Sequence, residues 1–169
     1  MARVIIGVGS NLGNQRQKIQ QGLKHLTEAG VKIIKISSYL KNTAAEGTAG
    51  GEFLNAAVLA ETDLEPETLL TLLHDIEKDS GRPRPHQPKE ARSLDLDIIY
   101  YADRIIDKPD LQIPHPRRLQ RWFVMKPAAE AAPDFYDPVL KKPLKDVVHG
   151  SPFQSSGKGP FRVAKIVGA

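Results

Sequence analysis

The sequence predicts an α+β domain built on a ferredoxin-like, mostly antiparallel sheet, not a doubly wound parallel one. Three observations lead there. Strand-like and helix-like stretches follow one another as β-α-β, loop, β-α, loop, β, the order of a split βαβ sheet. The 169 residues, 40% hydrophobic and 26% charged, suit one globular domain with a single core. Two long irregular loops flank one acidic strand, and loops of that length in a small domain are usually functional.

Each element has its own reason. Residues 3–9 are β-rich, close on glycine and form the first strand. In "NQRQKIQQGLKHLTEAG" Ile19, Leu23 and Leu26 fall at i, i+4 and i+7, an amphipathic helix that stops near Gly30. "VKIIKISSYL" (31–40) reads as one second strand, and the small, Gly-rich "KNTAAEGTAGGE" (41–52) as a loop. "FLNAAVLAE" (53–61) is an apolar strand. Pro66 then suits the first position of a helix whose period is set by Leu69, Leu72, Leu73 and Ile76 and which ends at Gly81. Residues 82–92 hold three prolines and exclude regular structure, and 93–101 form the next strand. "DRIIDKPDLQIPHP" gives a short strand and an extended return, and "RWFVMKPAAEAAP" a helix around Pro127. Residues 1–137 are expected to be the domain core. Residues 138–169, basic and rich in Gly, Ser and Pro, are expected to be a C-terminal extension of short strand or coil and a loosely ordered tail.

Composition removes several kinds of chemistry. There is no cysteine, which excludes disulfides, a thiolate nucleophile and Cys-based metal sites, and suits a reducing cytosol. The N-terminus lacks the long apolar core and cleavage site of a secretion signal. No apolar run approaches the roughly 20 residues of a membrane helix, so a soluble cytoplasmic protein is expected. The net charge of +4 favours anionic partners. That charge is concentrated in "GRPRPHQPKEAR" (81–92) and "HPRRLQR" (115–121), on both sides of the acidic strand.

The strand itself, "SLDLDIIYY", is the strongest functional signal. Strand interiors disfavour Asp, yet Asp95 and Asp97 sit two apart. Side chains alternate across a strand, so Ser93, Asp95, Asp97 and Ile99 share one face and Leu94, Leu96, Ile98 and Tyr100 the apolar other, which should lie on the core. At ~3.3 Å rise per residue the two Cα atoms stand about 6.7 Å apart. Bare carboxylates roughly 5 Å apart repel by some 3 kcal/mol at an effective dielectric near 20, and a cation between them reverses the sign. Hard oxygens on a rigid strand suit Mg²⁺, which fills its other positions with water and phosphate oxygens. The flanking arginines weigh against a merely solvated acidic face, because cations beside a metal–carboxylate pair fit a polyphosphate.

Other motifs speak more softly. "GVGSNLGN" places Gly7, Gly9 and Gly13 one residue too far apart for a dinucleotide fingerprint, and no acid follows the second strand, so it reads as a strand-to-helix turn. "GSPFQSSGKG" (150–159) has six residues between its glycines and no Ser or Thr after Lys158, so it is not a P-loop. Asn55 is the one fully polar residue of "FLNAAVL"; its amide either satisfies nearby backbone or reads the polar edge of a ligand. His115, between Pro114 and Pro116, is rigidly placed among cations, and Phe53, Trp122 and Phe123 suit a core.

Taken together, "GSNLG", "FLNAAV", "IEKDSGRPR", "RSLDLDI" and "IPHPRRLQRWFVMKPAAEAAP", ending near Pro133, resemble the 6-hydroxymethyl-7,8-dihydropterin pyrophosphokinase family of folate biosynthesis. The resemblance covers most of the chain and implies a ferredoxin-like α/β/α fold. The implied reaction moves pyrophosphate from ATP to the hydroxymethyl group of the pterin and releases AMP. By residue, the resemblance implies that Asp95 and Asp97 hold two Mg²⁺ ions against the triphosphate. Arg82 and Arg92 act on the phosphates from a catalytic loop. Arg84, His115 and Arg121 contact ATP, and Glu77 lies at the nucleotide site. Asn55 hydrogen-bonds the pterin, with Phe53 and Phe123 on its two faces. Two stretches depart from the family pattern: Lys89, Glu90 and Ala91 replace its Trp-Gly-Pro, and 41–52 lacks its Thr-Pro-rich loop. The expected partners are ATP and the pterin, with no nucleic acid and no membrane, and the expected state is a monomer. The competing readings are a nucleotide-binding regulatory domain without turnover and a basic RNA-binding module. The second lacks the aromatic sheet signature of RNA-recognition domains.

Overall fold

A computed structural model describes residues 1–10, 15–43, 52–80, 94–149 and 163–167 of the chain. The elements are β1 (Ala2–Ser10), α1 (Gln15–Glu28), β2 (Lys32–Ile36), β3 (Tyr39–Thr43), β4 (Glu52–Thr62), α2 (Pro66–Asp79) and β5 (Asp95–Tyr101). Then come β6 (Ile106–Lys108), β7 (Leu111–Ile113), a 3₁₀ turn (Arg118–Gln120), α3 (Trp122–Ala131), β8 (Tyr136–Asp137), β9 (Lys142–Pro143), α4 (Leu144–His149) and β10 (Val163–Val167). Pro66 opens α2 as expected. Gly30, at φ +94°, turns the chain out of α1 in a conformation that side chains disfavour.

The main sheet runs β10-β3-β4-β1-β5 and is antiparallel throughout, with β2 also paired to β4. With β2 and β3 lying end to end along one edge of β4, this is the ferredoxin-like order, extended by β10. The sheet separates two apolar layers. Val4, Ile6, Val8, Leu54, Ala56, Val58, Leu96 and Ile98 meet α1 and α2 through Ile19, Leu23, Leu26, Leu69, Leu73 and Ile76. Ile5, Ala57, Leu59, Ile99 and Tyr100 meet α3 and α4 through Met125, Ala128, Leu144 and Val147. The α/β/α sandwich thus follows from period-2 alternation in the strands and period-3.6 stripes on the helices.

Three details differ from the sequence reading. The second strand is two strands, because Ser37 interrupts it. Its N–H donates to the Ala57 carbonyl at 2.9 Å, but the Ala57 N–H returns to the Ser37 hydroxyl, also at 2.9 Å, and not to its carbonyl. The hydroxyl thus stands in for the carbonyl in the ladder. Glu130 of α3 holds the break by accepting from the Ser38 N–H and hydroxyl. Tyr100 lies on the face opposite Leu94, Leu96 and Ile98. Ile5 pairs Tyr100 while Ile6 pairs Ile98, so Ile99 is the extra residue of a β-bulge that resets the alternation. Finally, residues 144–149 form a helix whose Leu144 and Val147 are buried in the second layer. Their i, i+3 spacing is too brief to stand out in a basic, Pro- and Gly-rich context.

Helix α1 approaches β5 closely enough to constrain one position. A Cβ on Gly22 would lie 2.8 Å from Leu94 Cδ2, and Leu94 is fully buried. Gly22→Ala should therefore lower the melting temperature: overpacking costs roughly 1–3 kcal/mol, against about 1 kcal/mol gained in helix propensity. A rise in Tm would show that Leu94 yields freely.

Candidate functional site

The site is built on the sheet face covered by α3. Register places Asn55 opposite Gly9 and Gly9 opposite Asp95, so one row crosses β4, β1 and β5. The next row joins Ala57, Gly7 and Asp97. At ~4.8 Å between strands, the Asn55 and Asp95 backbones stand roughly 10 Å apart. Among the described residues, that row has only the backbone of Gly9 between them. A Cβ on Gly9 would come within 2.9 Å of Asn55 Oδ1, and one on Gly7 would meet Ile99 Cδ1 at 3.3 Å and Val124 Cγ1 at 3.8 Å. The glycines therefore let Asn55 and the first turn of α3 approach β1, and they put glycine backbone between an amide at one end and two carboxylates at the other.

Asp95 and Asp97 are half-buried and share this face with Ile99, as their spacing predicts. Leu96, between them, points into the other layer, and its N–H donates to Glu77 Oε2 at 2.9 Å. Glu77 is 7% exposed on α2. It grips the backbone between the two acids, which fixes the height of the pair above the sheet. Two carboxylate groups on a rigid strand fit Mg²⁺, which accepts one or two protein carboxylates and keeps several positions for water and phosphate. No cluster of three or more His, Cys, Asp or Glu occurs among the described residues, so the pair does not resemble an all-protein calcium or zinc cage.

The segment after β7 brings cations to β5 two residues beyond Asp97. The His115 N–H donates to the Ile99 carbonyl at 2.9 Å, at the bulge. Its Nδ1 accepts the Arg117 N–H at 3.2 Å, which places a neutral ring's proton on Nε2. Burial pushes the His115 pKa down from the ordinary 6.5 to about 4, and the charges of Arg121, Arg117 and Arg118 push it the same way. At pH 7 the ring is a neutral donor. The unfolded chain takes up this proton first as pH falls, so stability present above pH 6.5 is lost towards pH 4. A His115→Gln variant should show a shallower fall in Tm across that window; an unchanged slope would reject the assignment.

Of the residues singled out in the sequence, Asp95, Asp97, Asn55 and Phe53 lie on one sheet face, Phe53 two residues before Asn55 on β4. Phe123 is the second residue of α3, packs edge-on to Trp122 at 6.3 Å between centroids, and is half-buried, as is Phe53. Arg121 immediately precedes α3. Glu77 reaches β5 from the α2 side. Arg82, Arg84 and Arg92 lie outside the described residues, as does most of the loop at 41–52. Gly7 and Gly9 lie between Asn55 and the acids, a placement that the reading as a strand-to-helix turn overlooks. Two glycines at i and i+2 inside an otherwise β-branched strand were the available signal.

A family model described as 7,8-dihydro-6-hydroxymethylpterin-pyrophosphokinase (HPPK) matches residues 5–133. The folic acid synthesis protein fol1 of Pneumocystis carinii is 38% identical over 136 residues, covering 80% of this chain and 18% of that protein. The chain therefore corresponds to one portion of that longer protein. A 2-amino-4-hydroxy-6-hydroxymethyldihydropteridine pyrophosphokinase of Aquifex aeolicus is 35% identical over 148 residues, covering 86% of this chain and 90% of that protein. The solved structure of wild-type Plasmodium falciparum HPPK-DHPS matches 96% of this chain and 48% of its own with a TM-score of 0.68. At 14% identity, that is a likeness of fold.

Proposed function

The chain belongs to the 7,8-dihydro-6-hydroxymethylpterin-pyrophosphokinase family, and on that premise we propose that it transfers pyrophosphate from ATP to the hydroxymethyl group of 6-hydroxymethyl-7,8-dihydropterin, releasing AMP. The observation that carries this reading is the row Asn55–Gly9–Asp95, which sets the Asn55 amide and the Asp95 carboxylate, with Asp97 in the next row, at opposite ends of a glycine floor. Asn55 reads the polar edge of the pterin, with Phe53 and Phe123 on its faces. Asp95 and Asp97 hold two Mg²⁺ ions, which when bound neutralise the triphosphate and polarise the phosphoryl group under attack. His115 donates from Nε2 to the nucleotide, Arg84 and Arg121 balance its charge, and Glu77 holds β5 at the nucleotide's edge. Arg82 and Arg92 absorb the charge that shifts during transfer.

Attack on the β-phosphorus needs in-line placement and charge neutralisation more than it needs a strong base. The fixed spacing of the Asn55–Gly9–Asp95 row supports the first, and the acids with the proposed arginines supply the second. The proposed setting is the cytosol and the proposed state a monomer. Among the described residues no helix is long and apolar enough to cross a membrane. The test is to incubate the protein with ATP, Mg²⁺ and the hydroxymethyl-dihydropterin and to quantify the products. AMP and pterin pyrophosphate in equal amounts are expected. ADP in place of AMP, or ATP binding without turnover, would reject the reaction, and the second would favour a regulatory domain.

A further inference from the structure

Arg118 lies between His115 and Arg121 and has no task in the mechanism above. It is only 6% exposed, and arginine is almost never buried without partners. Its Nε donates to Asp137 Oδ2 at 3.0 Å and lies 3.1 Å from the Tyr100 hydroxyl, and Nη2 donates to Asp137 Oδ1 at 3.3 Å. Its Nη1 donates to the His115 carbonyl at 3.3 Å. Asp137 is fully buried. Its Oδ2 also accepts the Tyr100 hydroxyl, and its Oδ1 accepts the N–H groups of Val139 and Leu140 at 2.9 Å each. Burial alone would raise the Asp137 pKa, but the hydrogen bonds from Arg118 and Tyr100 outweigh it and hold the carboxyl below its usual range.

This cluster ties three places together: β5 through Tyr100, the β8–β9 hairpin through Asp137, and the 3₁₀ turn through Arg118. The turn is three residues long and has no side-chain cap at its start. The Arg118 N–H also donates to the His115 carbonyl, at 3.2 Å, and the Arg121 N–H to the Arg118 carbonyl, at 3.1 Å. Arg118 therefore grips the His115 peptide with both backbone and side chain, and Arg121 follows one turn later. Tyr100 stands directly beyond the bulge that receives the His115 N–H.

We infer that Arg118, Asp137 and Tyr100 form a positioning cluster that holds His115 and Arg121 in fixed register with the acids of β5, so that the triphosphate meets a preformed set of donors. The inference rests on the function proposed above. A buried ion pair is weak evidence for stability, since apolar replacements of similar volume often stabilise equally well. Geometry is therefore the stronger reason for its presence.

The test compares Arg118→Met with the double variant Arg118→Met/Asp137→Asn. Calorimetry measures binding of α,β-methylene-ATP with Mg²⁺, fluorescence measures binding of the dihydropterin, and melting is followed in parallel. Arg118→Met strands a buried carboxylate and loses stability, while the double variant removes both charges and regains it. Positioning predicts that Kd for the nucleotide rises about tenfold or more in both variants, while pterin affinity changes less than about twofold. Recovery of nucleotide affinity along with Tm in the double variant would overturn the inference, and so would parallel losses for both ligands. Unchanged nucleotide binding in Arg118→Met would overturn it and leave the proposed function standing. A wild-type chain that binds no nucleotide would overturn both.

Discussion

Replacing Asp97 with alanine should lower kcat by at least about 10²–10³-fold, the loss that follows removal of one preorganised electrostatic group at a charged transition state. Asp95→Ala should do the same. Neither change should cost much of the fold. β5 is held by its ladder to β1 and by the bond from the Leu96 N–H to Glu77, and these use backbone groups, not the Asp side chains. The Tm should move by only a few degrees, the shift that roughly 1 kcal/mol produces in a chain of this size. The isosteric Asp97→Asn should lose nearly as much turnover, because it keeps shape and removes the charge that a cation needs. Turnover within about tenfold of wild type at saturating Mg²⁺, in either alanine variant, would remove the acids from the mechanism.

The second large effect is expected from the smallest possible addition. Gly9→Ala puts a methyl group 2.9 Å from Asn55 Oδ1, closer than such atoms sit. Asn55 is 7% exposed in the middle of β4 and must rotate away. Its amide then no longer lies over the glycine row. Pterin affinity should fall by about 10- to 100-fold, as expected when a buried polar group loses its partner at roughly 1–3 kcal/mol, while nucleotide affinity holds. Asn55→Ala should give the same selective loss by a different route. Calorimetry with each ligand separately decides the point. Equal losses for both ligands would mean that Asn55 serves the backbone and that Gly9 matters only for packing.

How far the sequence reveals this site depends on how local each feature is. The acidic pair was legible because two residues of one strand suffice to show it, and alternation assigns their face without knowledge of the neighbours. The order of elements was legible for the same reason, since α1 and α2 carry clean helical stripes and Pro66 marks its own position. Tyr100 was misplaced because a bulge is a relation between two strands: "DLDIIYY" alternates only as far as Ile98 and is apolar or aromatic after that, so nothing within it marks a slip of one residue, and only pairing with Ile5 and Ile6 reveals the extra Ile99. The break at Ser37 was hidden because "IKISSYL" has strand-forming residues on both sides of its two serines, and the interruption comes from a hydroxyl that replaces a carbonyl across the ladder. The glycine floor needed the register of three strands before Gly7 and Gly9 could be seen between an amide and two acids. The cluster of Arg118, Tyr100 and Asp137 spans 37 residues of chain and has no spacing to read.

The central claim is that one glycine-floored face gathers the metal-bound triphosphate over Asp95 and Asp97. Substituting Mn²⁺ for Mg²⁺ tests it most directly, in a complex of isotope-labelled protein with a non-hydrolysable ATP analogue followed by amide NMR. The amides of Gly7, Gly9 and 95–99 should broaden away first. Those of Ala2 and Arg3, roughly 20 Å along β1 from Gly9 at ~3.3 Å per residue, should outlast them, and the pattern should vanish in Asp97→Ala. Broadening centred anywhere else in the sheet, or a pattern that survives the loss of Asp97, would contradict the account.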